Sequence, residues 1–176
     1  YTKEYLKELI HWLGPYPVQR VAHLALPDFR SGAMENNGLI TYRDSLLYIS
    51  DSSDINSKRY SSLVITHEMA HFYFGNLVTM KWWDDLWLNE SFATAIEYFI
   101  VQKTHEKLKN IEYFEPMQFF VDNEMVSGMN LDSLASTHSV KSVINKPEDI
   151  ETVFDSISYS KGATLLMQLI KYIGEE

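Results

Sequence analysis

His67-Glu68-Met69-Ala70-His71, followed after eighteen intervening residues by Glu90, is the stretch on which the reading of this chain turns. Histidines four apart on a helix share one face, one turn apart, so two imidazoles can converge on one metal ion. Glu68 stands beside the first histidine, within reach of a water held by such an ion. Glu90 opens a second apolar run, Ser91-Phe92-Ala93-Thr94-Ala95-Ile96-Glu97-Tyr98-Phe99-Ile100. If that run is a helix packed on the first, Glu90 brings a carboxylate as third ligand. Two neutral imidazoles and one carboxylate leave a fourth tetrahedral position for water, the pattern of a catalytic rather than a structural zinc. H-E-x-x-H alone is a weak signal, because a helix with two half-exposed histidines and a surface glutamate also carries it. Context favours the metal. Ser61 to Phe74 reads as one helix with a mainly apolar face of Leu63, Val64, Met69, Ala70 and Phe74, and Gly75-Asn76 is a stop signal.

The rest of the composition narrows the choices. A chain of 176 residues is one domain of ordinary size or a piece of a larger protein, and 45% hydrophobic content is enough for a packed core. No apolar run reaches the length of a membrane span, and no basic segment followed by an apolar one opens the chain as a signal peptide would. Both ends fall inside helix-like sequence, so the chain is expected to be part of a longer protein. With no cysteine, a disulfide framework, a thiolate metal site and a cysteine nucleophile are excluded within this stretch. That absence fits a reducing compartment, and a cytoplasmic location is the expectation, with a membrane-anchored or secreted parent as the alternative. A net charge of -9 without a basic cluster argues against nucleic acid as a partner. It would suit a cationic substrate group, and equally a merely soluble acidic surface.

Taken in order, Thr2 to Leu13 has helical spacing, ended by Gly14-Pro15-Tyr16-Pro17. Val21 to Leu26 and Leu39 to Tyr42 read as strands, and Leu46 to Ile49 as another. Between the first two lies Gly32-Ala33-Met34-Glu35-Asn36, where a glycine and a small residue allow close backbone approach by a ligand. An exposed strand edge there could hydrogen-bond an extended peptide, with Glu35 facing its free ammonium, or Glu35 could be a solvated edge glutamate. Asp51 to Asn56 reads as a polar loop. The segment Gly75 to Leu88, with Trp82, Trp83 and Trp87, is too aromatic for solvent and is expected to pack under the site. Asp84 and Asp85 either orient the histidines or favour the start of the next helix. Glu97, seven residues after Glu90, either accepts from a ligand histidine or lies on the surface. Glu106 to Gly128 reads as helical, with Tyr113, Phe114, Met117, Phe120 and Val121 as a core stripe. Ser133 to Asn145 reads as irregular, Pro147 to Ile150 as a short helix and Thr164 to Ile173 as a last amphipathic one.

These motifs together resemble the gluzincin zinc aminopeptidases related to aminopeptidase N. The likeness rests on Gly32-Ala33-Met34-Glu35-Asn36 and on His67-Glu68-x-x-His71 with Glu90 at the family spacing. It extends to Leu24-Ala25-Leu26-Pro27-Asp28-Phe29, Gly38 to Arg43, Phe74 to Glu90 and Ser158-Tyr159-Ser160-Lys161-Gly162-Ala163, and is weakest from Lys103 to Lys146. Asn37 stands where the family usually has tryptophan, Phe72-Tyr73 replaces a common Gln-Trp, and Ser139 follows His138 where His-Pro-Val is often found.

The resemblance implies an α+β fold: a thermolysin-like catalytic domain in which a small mixed sheet packs against mostly helical segments. Residues 1–50 would form its strand-rich part and residues 51–176 the helical part with the zinc site, with the N-terminal β domain and C-terminal helical domain of family members missing. It implies one zinc per chain on His67, His71 and Glu90, Glu68 as general base, Tyr159 as oxyanion donor, and Gly32, Ala33, Met34, Glu35 and Asn36 as the substrate-binding segment, Glu35 anchoring the amine. The implied substrates are peptides with a free N-terminus. A related zinc endopeptidase or epoxide hydrolase, or a catalytically silent binding scaffold, are the competing readings.

Overall fold

The computed structural model describes residues 1–108 and 114–174. Helix α1 (Thr2–Leu13) comes first, with Tyr5 and Leu9 buried at the i, i+4 spacing. Three strands follow: β1 (Ala22–Leu26), β2 (Ala33–Met34) and β3 (Leu39–Arg43). They form one mixed sheet in the order β1-β3-β2. Central β3 pairs in parallel with β1, Ala22 opposite Leu39, and antiparallel with β2, Ala33 opposite Tyr42. Alternation along β3 drives Ile40 and Tyr42 into the core. The two residues of β2 form one rim of the sheet, so the middle of the segment Gly32 to Asn36 proposed from sequence is an edge strand. Leu46 to Ile49 is not a strand: β3 gives way at once to α2 (Asp44–Leu47), a single turn with Asp44 at its positive end.

Helix α3 (Ile55–Ala70) begins six residues earlier than its apolar pattern suggests. The cap explains this. Asp54 Oδ1 accepts from the amides of Asn56 and Ser57 at 2.9 and 3.1 Å, so a polar first turn that buries little still winds correctly. After a 3-10 turn at Trp83–Asp85, the 22-residue helix α4 runs over Leu86–Lys107. Ala93, Ala95, Tyr98, Ile100 and Val101 are all but inaccessible, so α4 is buried on most sides. Residues from α1, the sheet, α3 and α4 share one hydrophobic core.

The expected helix from Glu106 to Gly128 is interrupted. Helix α4 ends at Lys107, Tyr113 lies outside the described residues, and helix resumes as α5 (Pro116–Phe120), a π-helical turn (Val121–Met125) and α6 (Val126–Asp132). Phe120 is buried from the expected stripe, but Val121 is exposed. Short helix α7 (Pro147–Ile150) leads to a second π-helical turn, Ile157–Lys161, and to α8 (Gly162–Ile173). No helix among the described residues is long and apolar enough to cross a membrane.

Close packing holds this last π turn on α4. Ser91 Oγ donates to the Ser158 carbonyl at 2.5 Å, and a Cβ on Gly162 would fall 1.8 Å from Ser91 Oγ. On the other side a Cβ on Gly128 would meet the Lys161 amide at 2.9 Å. Gly162→Ala is therefore expected to destabilise the protein by about 1–3 kcal/mol, the usual cost of overpacking. Denaturant unfolding of the full-length protein measures it, and an unchanged midpoint would contradict so close an approach.

Candidate metal and peptide site

Helix α3 ends at Ala70, and His71 keeps a helical backbone, its amide bonded to the His67 carbonyl at 3.1 Å. The two imidazoles therefore stay one turn apart. Their Nε2 atoms lie 3.0 Å from each other, and Glu90 Oε2, from the second turn of α4, lies 3.3 Å from His67 Nε2 and 3.4 Å from His71 Nε2. All three residues are buried.

The backing groups decide which ring nitrogens carry hydrogen. His71 Nδ1 faces the Phe74 carbonyl at 3.1 Å and Asn89 Oδ1 at 3.0 Å. A carbonyl only accepts, so Nδ1 donates, and in the neutral ring that a metal requires Nε2 keeps its lone pair. His67 Nδ1 faces Glu97 Oε2 at 2.7 Å, which fixes the same tautomer. Two lone pairs and a carboxylate thus face one another in a buried space, an arrangement that repels itself unless a cation or proton intervenes. Donors held tetrahedrally about 2.0–2.1 Å from one centre stand about 3.3–3.4 Å apart, close to the observed triangle. Donor chemistry and spacing both fit a zinc ion.

This triad opens into a cavity of about 710 Å³. Gly32, Ala33, Met34 and Glu35 line it; Asn36 does not, and its amide instead donates to Thr41 Oγ1 at 3.1 Å. Asn76 Nδ2 donates to the Glu35 carbonyl at 3.1 Å, tying the loop after His71 to the edge strand. A Glu35 carboxylate oxygen, one from Glu68 and a His71 ring nitrogen lie within 4.8 Å of one another. No lysine or arginine lines the cavity among the described residues, while six glutamates do. Such a pocket concentrates cations.

Glu68 is buried, and its Oε2 has no hydrogen-bond partner. Burial lifts its pKa to about 7, against the pull of the two histidines, which places it where a carboxylate can both take and return a proton. Glu90 behaves oppositely: burial works against its charge, but the two histidines beside it hold its carboxyl well below the usual range. Tyr159, from the second π turn, stacks its ring on His67 with centroids 6.1 Å apart. Burial, with Glu90 beside it, raises its hydroxyl far above the ordinary range, so it stays a donor.

Of the two readings of Asp84 and Asp85 the one at the start of α4 fits, with Asp85 as the residue before its first turn, and the other fails, as does the packing expected of the tryptophans. Asp84 and Asp85 do not touch the histidines: Asp84 Oδ1 accepts the Ile144 amide at 2.7 Å and Asp85 pairs with Lys141 at 3.1 Å. Nor do the tryptophans pack under the site as a group, since Trp82 is 58% exposed and Trp83 37%. Trp83 instead edges the cavity, and Trp87 lies against Gly162. Periodicity could not find Asn89, whose role depends on a contact across the fold. Its neighbour Gly75 was a hint: at φ +133° it is a conformation for glycine, and a Cβ there would sit 2.3 Å from Asn89 Oδ1.

The model of the peptidase family M1 domain matches residues 2–176. Aminopeptidase N of Canis lupus familiaris is 47% identical over 174 residues, covering 94% of this chain but 17% of its own length. Probable aminopeptidase 1 of Sulfurisphaera tokodaii is 44% identical over 92% of this chain and 20% of its own. Endoplasmic reticulum aminopeptidase 1 of Homo sapiens is 44% identical, with 92% and 17% covered. The chain thus spans about a fifth of the length of these relatives.

Removing the support behind a ligand should loosen the ion without removing a donor. Glu97→Gln is expected to weaken zinc retention about 10- to 100-fold. Competition with a graded chelator, read as zinc content of the full-length protein, checks this; retention equal to the parent would mean Glu97 does not hold His67 for a metal.

Proposed function

The chain belongs to peptidase family M1, and from that premise we propose that it is the catalytic part of a zinc aminopeptidase, removing the N-terminal residue from peptides. The observation that carries the proposal is the triangle of His67, His71 and Glu90, spaced for one tetrahedral ion, with Glu68 and Glu35 on the same cavity. We assign residues 1–50 and 51–176 to one thermolysin-like unit, the first supplying the peptide-binding edge and the second the metal ligands.

His67, His71 and Glu90 would hold zinc, which supplies Lewis acidity: it eases deprotonation of water and polarises the scissile carbonyl. The residues of the chain do the rest. The edge of β2 offers free backbone groups to an extended peptide, which aligns its first peptide bond over the triad. Glu35 pairs with the peptide ammonium and so sets cleavage after one residue. Glu68, buried and poised near neutrality, takes the proton of the attacking water and returns it to the departing amine. Tyr159 donates its hydroxyl to the oxygen on which charge develops. The acidic lining favours the positively charged end of the substrate and disfavours a peptide approaching by its carboxylate.

A panel of aminoacyl chromogenic substrates on the full-length protein, with and without chelator, tests the reading. Activity on free amines that chelation abolishes supports it. Equal cleavage of N-acetylated peptides would assign an endopeptidase, and a metal-free, inert protein would assign a scaffold. Glu68→Gln is expected to retain zinc while kcat falls about a hundredfold to ten-thousandfold, the range for a lost general base. Glu35→Ala should raise KM or lower kcat for free-amine substrates while sparing blocked ones; equal losses on both would remove it as the anchor.

A further inference from the structure

Tyr159 is useful only if its hydroxyl is aimed, and the aim comes from outside the cavity. The π-helical turn that carries it starts on backbone amides that have no preceding helical turn to bond to. Asp155 satisfies three of them. Its Oδ1 accepts from the Ile157 amide at 2.9 Å and the Ser158 amide at 3.3 Å, and its carbonyl accepts from the Tyr159 amide at 3.0 Å. Its other oxygen, Oδ2, meets His138 Nε2 at 2.7 Å.

The ring of His138 is held from both sides. Nδ1 lies 2.8 Å from the Ser139 carbonyl, so it donates there, and Ser142 Oγ lies 3.0 Å away. Nε2 faces a carboxylate and must donate as well, so the geometry calls for the doubly protonated ring. Burial opposes that charge, but the hydrogen bond to Asp155 raises the pKa above its ordinary value. A charge-assisted bond of this kind fixes Asp155 far better than solvent would.

From His138 the loop continues to the start of α4. The Ser142 amide bonds to the Asp84 carbonyl at 3.2 Å, the Ile144 amide to Asp84 Oδ1, and Lys141 to Asp85. Residues 138–144 therefore strap the beginning of the helix that carries Glu90 to the cap of the turn that carries Tyr159. This also accounts for Asp84 and Asp85, whose acidity the metal site does not use.

We propose that His138 and Asp155 are positioning residues for the reaction, an ion pair that aims the Tyr159 hydroxyl at the metal and peptide site by holding the first turn of its π helix. The inference rests on the reading of Tyr159 as the oxyanion donor. Neither side chain lines the cavity, so neither touches substrate.

The full-length protein carrying Asp155→Ala, Asp155→Asn, His138→Ala and Tyr159→Phe, singly and combined, tests this with an aminoacyl chromogenic substrate and zinc analysis. Tyr159→Phe should lower kcat by about a hundredfold or more, as for loss of one oxyanion donor. Asp155→Ala and His138→Ala should each lower kcat roughly tenfold through misplacement, with KM and zinc content near the parent values. Asp155→Asn, which keeps an acceptor for the amides, should recover part of the loss. In the Tyr159→Phe background the same changes should cost nothing further, because the group they aim is gone. Losses that persist in that background would overturn the proposal, as would His138→Ala at full kcat. His138→Ala leaves the cap intact and so decides the matter even if Asp155→Ala does not fold. Tyr159→Phe at near-parent kcat would instead remove the oxyanion reading itself, and the positioning role with it.

Discussion

Two imidazole lone pairs pointed at each other across 3.0 Å of buried space are the constraint around which this protein is arranged. Left alone, such an arrangement repels. It persists because each ring is gripped from behind, His67 by Glu97 and His71 by Asn89 and the Phe74 carbonyl. A buried polar group without partners costs on the order of 1–3 kcal/mol, so every backing bond both satisfies a donor and fixes a direction. The site is thus a product of the packing of α3 on α4, and the core residues between those helices serve the chemistry by keeping the rings in register.

The other elements bring different groups to the same space. The sheet carries Glu35 on its rim, and Asn76 ties that rim to the end of the ligand helix. The π turn brings Tyr159 against His67 from the opposite end of the chain, seated on α4 through Gly162 and Ser91. π-helical turns leave the regular bonding pattern and are found often where a side chain must be presented rather than packed. Three glutamates near one centre take different characters from their surroundings. Glu90 is held ionised by two histidines, Glu68 is lifted toward neutrality by burial, and Glu97 is spent on His67.

Much of the site was legible in the sequence because its information is local. The i, i+4 spacing of His67 and His71 survives even though the helix ends between them and the rest of the turn. Glu90 and Glu97 could be placed on one face by their spacing of seven. What the pattern missed depended on contacts between distant segments. Asn89 reaches His71 only because Gly75 leaves room. Asp84 and Asp85 sit near the ligands in sequence, yet turn away to the 138–144 loop. Trp82 and Trp83 read as packed under the site by composition, but the short turn before α4 leaves Trp82 facing outward and Trp83 at the edge of the cavity. The start of α3 was misplaced for a local reason, since the Asp54 cap outweighs a first turn with no apolar stripe. Leu46 to Ile49 is too short an apolar run for strand and helix to be told apart.

The solitary buried oxygen of Glu68 has a consequence for how this protein can change over time. Burial weighs on it more than the two histidines favour it, and an apolar side chain of similar size would sit there more comfortably. Selection for robustness alone would erase it. Wherever Glu68 is retained, the fold is tolerating a weak spot, and variants that harden the molecule by filling that position would be expected to do so at the expense of turnover.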